Sequence, residues 1–140
     1  MNFEEIFAGV NFLAVLVSAL SAFVIGWLWY GPLFGKQWMK LNGFTEEQLK
    51  KGGGMSMPLI MIINYVATVL AAFAIAMFIG AESNMSFGIF AGFMIAIFWI
   101  GTSRLNDVLY ERKPFGLFLI NVGYYLVIYV LMGAILGVWH

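Results

Sequence analysis

Arg104, Asp107 and Glu111 stand at spacings of three and seven residues, so on a helix their charges approach one face. A guanidinium so placed has two uses. It anchors a helix end by snorkelling to the headgroups while paired to Asp107, or it grips an anion with a planar, two-pronged fork. The anchor is the leading reading and the anion site its rival. Around this group the sequence offers uncharged polar and aromatic side chains: Trp27, Asn64, Tyr65, Ser103, Asn106, Asn121, Tyr124 and Tyr125. Helical spacing puts Asn121 and Tyr125 on one face, and Asn64 and Thr68 on one face of another helix. Together with Arg104 these are the candidate ligand-binding residues. Amides, phenols and indoles bind by hydrogen bonding and stacking. They do not make an evident nucleophile and base, so no catalytic residue is assigned.

Missing residue types narrow the chemistry further. The chain has no cysteine, which excludes disulfides, thiol nucleophiles and thiolate metal sites. Its one histidine is the last residue, His140, which excludes a histidine-cluster metal site and a histidine-based triad. No metal or cofactor is expected. No Asp, Glu, Lys or Arg lies at the centre of an apolar run, where proton-coupled pumps and multidrug antiporters keep a titrating group.

The elements that must position these residues follow from composition. Of 140 residues, 63% are hydrophobic and 10% charged, with mean hydropathy +0.94. Soluble domains have about 45–50% apolar and 25% charged residues, so a lipid bilayer is the solvent this chain fits. A helix needs about 20 apolar residues to cross it. Four runs qualify, at roughly 6–30, 57–80, 86–109 and 115–139, giving an all-α, four-helix membrane bundle in one domain. Strand-type alternation is absent. Pro32, Pro58 and Pro114 fall between the runs, where proline ends or opens a helix. The acidic start "MNFEE" argues against a cleaved signal peptide, and Asn2 with Glu5 has capping-box spacing for the first span. Thr45 and Gln48 repeat that spacing and predict a short surface helix over residues 45–51, followed by a flexible Gly52-Gly53-Gly54 link.

All seven basic residues follow the first span or surround the turn after the third. The positive-inside rule then places both basic loops in the cytoplasm and both termini outside. At the helical rise, Asn64 falls about 9 Å past Pro58 and Asn121 about 10 Å past Pro114. Thr102, Ser103, Asn106 and Trp27 reach a comparable depth. This polar layer is read first as interhelical hydrogen bonding, with Asn64 and Asn121 bonded to each other or to shared groups. The alternative is a small cavity opening to the cytoplasm. Small residues recur four apart on every span, as at Ala14, Ser18, Ala22 and Gly26, or Gly88, Gly92 and Ala96. They predict close helix packing and leave faces for a homo-oligomer.

The stretch "GWLWYGPLFGKQW", residues 26 to 38, reads as an aromatic belt ended by Gly31-Pro32, with Lys36 and Lys40 meeting anionic headgroups. It holds more specific features than a membrane exit needs. The opening "VNFLAVLVSALSAFVIGWLWYGPLFGKQWMKL" and the ending "FLINVGYYLVIYVLMGAILGVW" resemble the small bacterial membrane proteins of the domain of unknown function 1761 family. Asn11, Trp29, Tyr30, Pro32, Phe34, Gly35, Lys36, Trp38, Asn121, Gly123 and Tyr124 carry the resemblance. It implies a small four-span membrane protein and supplies no activity to transfer.

The leading expectation is a non-enzymatic membrane module that binds a ligand or partner. Its rivals are a small channel or facilitator for an uncharged or anionic solute, and a lipid-acting protein that holds a phosphate with Arg104. The expected partners are the bilayer and a second copy. With seven positive and seven negative side chains, no nucleic-acid partner is implied.

Overall fold

Asparagine side chains start the first two helices. Asn2 accepts from the Glu4 amide while Glu5 accepts from the Asn2 amide, both at 3.3 Å, opening the short α1 (Phe3–Ala8). Asn11 accepts from the Ala14 amide at 3.1 Å and opens α2 (Phe12–Leu33). The capping box read from the sequence therefore exists but begins a separate helix. A second extended capping residue at Asn11 breaks the run, and the spanning helix starts there rather than near residue 6. The structure, a computed structural model, describes residues 2–51 and 55–139. The glycine link at 52–54 and His140 lie outside the described residues.

Pro32 is inside α2, not beyond it. In an α-helix its ring would strike the Leu28 carbonyl, and it has no N–H to give. The last turn, Trp29–Leu33, instead widens to π geometry, and the Phe34 amide reaches the Trp29 carbonyl at 2.8 Å. The chain turns after this, at Phe34-Gly35, into α3 (Gly35–Asn42), which ends at left-handed Gly43 (φ 73°). Next, α4 (Glu46–Lys51) carries the reciprocal Thr45–Gln48 cap, at 3.0 and 3.2 Å. Three long helices complete the chain: α5 (Met57–Ile79), α6 (Met85–Leu109) and α7 (Phe115–Val138).

With α2, these three are long and apolar enough to cross a membrane, and the described residues form no strand. The protein is an all-α, multi-pass membrane bundle. Its tightest seam joins α6 to α7, where Gly88 meets Gly133, Gly92 meets the Tyr129 backbone, and Gly137 meets the Asn84 carbonyl. A Cβ at any of these glycines would collide with main chain. On the other side of α7, α2 buries Ala14, Ser18 and Ala22, joining a core with Ala72 and Ile75 of α5 and fully buried Met132 of α7. The stripes of α2, α6 and α7 thus pack within one chain, while Gly80 at the end of the α5 stripe has open space around it. Least covered is α5: its apolar window is 11% buried, against 28–33% for the other three.

One irregularity decides where the site residues point. Ile95–Gly101 of α6 is π-helical. A π stretch takes up an extra residue, so everything beyond it is rotated relative to regular α spacing. At 3.6 residues per turn, the face of Gly88, Gly92 and Ala96 would continue to about residues 100, 103 and 107. The buried position at the end of the π stretch is instead Gly101, and beyond it Arg104, Asp107 and Val108, followed past the helix end by Glu111, line the chamber described below.

Candidate functional site

The chain leaves α2 through its π turn and doubles back as α3 over the end of the bundle. Gly35 permits this, since a Cβ there would lie 2.6 Å from the Tyr30 carbonyl. Trp29 and Tyr30 then fasten α2 to α7. The Trp29 indole donates to the Ile120 carbonyl at 2.9 Å, and the Tyr30 hydroxyl donates to Asn121 Oδ1 at 2.8 Å. Gly123 makes room for the Trp29 ring, whose Cζ2 would be 3.1 Å from a Cβ. Each bond contributes about 1 kcal/mol. They also fix the wall of a chamber.

That chamber has a volume of about 340 Å³ and lies among α3, the end of α6 and the start of α7. Trp38 and Asn42 line it from α3, Arg104 and Asp107 from α6, Glu111 from just past the end of α6, and Asn121 from α7. Lys113, from the α6–α7 turn, completes it, so two cations and two carboxylates face one space. Arg104 is held on two sides: Nη1 lies 3.4 Å from Asp107 Oδ2, and Nη2 donates to the Tyr125 hydroxyl at 3.0 Å. Its side chain remains 45% exposed. Among the described residues, Glu111 and Lys113 have no ion-pair partner. The turn that carries Lys113 contains Arg112 in the left-handed region (φ 55°), the one described non-glycine residue there.

A second space adjoins the first. A groove of about 480 Å³ runs between α2 and α5, lined by Phe23, Gly26, Trp27, Ile60, Met61 and Asn64. Trp38 lines both spaces. Between them stand two hydrogen bonds, Tyr30 to Asn121 and Arg104 to Tyr125, each joining a chamber residue to a groove residue. The aromatic rings of Tyr30, Tyr124 and Tyr125 pack in series behind them, with centroids 5.1 and 5.3 Å apart. Gly26 admits the Tyr124 phenol, whose oxygen would be 3.0 Å from a Cβ.

The family model described as a protein of unknown function, DUF1761, matches residues 13–137, which is nearly the whole chain. The chain belongs to this family. No curated protein and no solved structure matches it. Membership in DUF1761 thus agrees with the resemblance read from both ends of the sequence, and the site has to be argued from its own geometry.

The residues singled out in the sequence divide three ways. Arg104 and Asn121 line the chamber, while Trp27, Asn64, Tyr124 and Tyr125 line the groove. Tyr65, Ser103 and Asn106 line neither. The Tyr65 hydroxyl donates to the Leu16 carbonyl at 3.2 Å, and the Ser103 hydroxyl to the Trp99 carbonyl at 2.6 Å. Asn106 is exposed, turned away by the π stretch before it. The expected bond between Asn64 and Asn121 is not formed. Asn121 is taken by Tyr30, and the exposed Asn64 amide has no hydrogen-bond partner among the described residues.

Tyr30, Trp38, Asn42, Asp107, Glu111 and Lys113 were not singled out as ligand-binding residues. Asp107 and Glu111 had a signal in their spacing to Arg104, and Tyr30 and Trp38 in the crowded aromatic stretch. Asn42 and Lys113 had none. No group of three or more His, Asp or Glu among the described residues could hold a metal ion. The arrangement offers charge, hydrogen bonds and an aromatic wall, the means of holding a polar group.

Proposed function

We propose that this protein is a non-enzymatic ligand-binding module of a bacterial inner membrane, with the basic end of the bundle in the cytoplasm. The observation that carries the reading is Arg104. It is held between Asp107 and Tyr125, half exposed, at the wall of a 340 Å³ chamber. An arginine serving only as an anchor needs neither a tyrosine partner nor a chamber. Binding is favoured over conduction because fully buried Met132 and the main-chain contacts of the glycine seam leave no open path along α6 and α7 beyond the chamber.

The test compares wild type with Arg104→Lys. Lysine snorkels as arginine does but lacks the fork. Glycerophosphate and glycerophosphoethanolamine, headgroups without chains, should raise the unfolding temperature of the wild type and not that of Arg104→Lys. Equal responses from both proteins would defeat the reading. The orientation rests on Lys36, Lys40, Lys50, Lys51, Arg112 and Lys113. Because the chain has no native cysteine, single reporters are clean. Ser83→Cys should react with an impermeant reagent in spheroplasts, and Lys50→Cys only after the membrane is breached. The reverse pattern would overturn the topology.

A further inference from the structure

The chamber and the groove have complementary characters and share a wall. The chamber presents two cations, Arg104 and Lys113, and two carboxylates, Asp107 and Glu111. A simple anion would leave both carboxylates facing it at a cost, and a simple cation would leave the two basic groups so. A headgroup carrying both signs satisfies both pairs. The phosphate suits the guanidinium fork, whose geometry matches two phosphate oxygens. An ammonium suits Glu111, a carboxylate with open acceptor positions and no ion-pair partner among the described residues. Since carboxylates bind ammonium through N–H donors, a primary ammonium fits better than a trimethylated one. Trimethylammonium groups are recognised by cages of several aromatic rings, and the chamber supplies Trp38 and Phe118 alone.

The groove fits the rest of such a molecule. Phe23, Trp27, Ile60 and Met61 line it with apolar surface, and Trp27 is 64% exposed. Asn64 also lines it, an amide on an apolar spanning helix with no partner among the described residues. A polar group left unpaired in hydrocarbon is costly. An occupant with a hydrogen-bonding group at that point removes the cost, and an acyl ester is such a group. The groove begins at Trp38, where the chamber ends.

We infer that the ligand is a zwitterionic glycerophospholipid with a primary ammonium, its phosphate on Arg104 and Lys113, its ammonium on Glu111, and its ester and chain in the α2–α5 groove beside Asn64. This rests on the reading of the chamber as a ligand site and adds the class of ligand.

The experiment uses the full chain in mild detergent with oleoyl lysolipids that differ only in headgroup: ethanolamine, choline and glycerol. Retained lipid is counted by native mass spectrometry. The ethanolamine lipid should be retained about tenfold over the glycerol lipid, the size of one charge-assisted contact, and clearly over the choline lipid. Glu111→Gln should bring ethanolamine and glycerol lipids within about twofold of each other, by loss of that contact. Asn64→Leu should weaken all three and leave their order intact. Both substitutions fall on exposed residues, and an unchanged unfolding temperature verifies the fold. Equal retention of the three headgroups overturns the inference, as does a preference that survives Glu111→Gln. If chainless glycerophosphoethanolamine binds in an Arg104-dependent way while no lysolipid binds better, the lipid inference falls and the chamber reading stands. If neither class binds, both fall.

Discussion

The same two helices, α6 and α7, meet in opposite ways at their two ends. At one end Gly88 and Gly133 bring main chain against main chain, and Gly92 and Gly137 extend the seam. At the other end Arg104 and Asp107 of α6, with Glu111 just past its end, face Asn121 of α7 across an open, polar space. The π stretch Ile95–Gly101 lies between the two regions. In lipid no hydrophobic force drives helices together, so van der Waals contact at glycines must do it. A seam of that kind over half the length lets the other half stand apart. The chamber is held by longer bridges instead: Trp29 to Ile120, Tyr30 to Asn121, and Arg104 to Tyr125.

Substitutions should therefore damage the two ends differently. The largest effect is expected at the seam. Gly133→Leu puts a side chain into the Gly88 carbonyl and should cost about 3 kcal/mol or more in detergent unfolding, with ligand binding lost only through loss of the fold. A mild effect would mean the seam is looser than described.

Next comes the bridge between α2 and α7. Tyr30→Phe and Asn121→Leu should each cost about 1 kcal/mol, with a coupling of roughly 0.6 kcal/mol in a double-mutant cycle. Asn64→Leu and Asn121→Leu should add within about 0.5 kcal/mol, as for independent sites. Coupling between the two asparagines would restore the reading of a closed polar layer.

At the chamber itself the expected stability effect is smaller and the binding effect larger. Arg104→Lys should cost under about 1 kcal/mol, since lysine can keep one of the contacts to Tyr125 and Asp107, while headgroup binding falls about tenfold, the loss of one fork contact. The smallest effect is at the turn. Arg112→Gly relieves a left-handed backbone at the expense of chain entropy, for a net gain of about 0.5 kcal/mol. A loss there would show that the Arg112 side chain has work of its own.

The apolar runs and the charges between them were enough to read four spanning helices, because length and hydropathy are set by bilayer thickness. Capping chemistry was equally legible at Asn2–Glu5 and Thr45–Gln48, although the first box opened a short helix of its own once Asn11 capped the next. What misled was phase. Ser103 and Asn106 were chosen for their depth along the span, which does not say which face they take, and the π stretch in α6 rotates that face. Its sequence, "IAIFWIG", carries no proline or other mark of the change. Pro32 was visible, but proline more often ends a helix than widens it. Tyr30 and Trp38 were read as parts of an interfacial belt. Their partners across the bundle depend on α3 folding back at Gly35, a tertiary event that local pattern does not encode.

The central claim is that the open end of the bundle is a ligand site and the glycine-packed end is not. Trp38 lines the chamber, and Trp139 marks the opposite end of α7. Fluorine NMR of protein labelled with 5-fluorotryptophan, its five tryptophan signals assigned by single Trp→Phe substitutions, reads both ends in one titration. Adding oleoyl lysophosphatidylethanolamine should shift the Trp38 signal in wild type, leave Trp139 in place, and shift Trp38 far less in Arg104→Lys. A Trp38 signal that stays fixed, or one that moves equally in wild type and Arg104→Lys, would contradict the account.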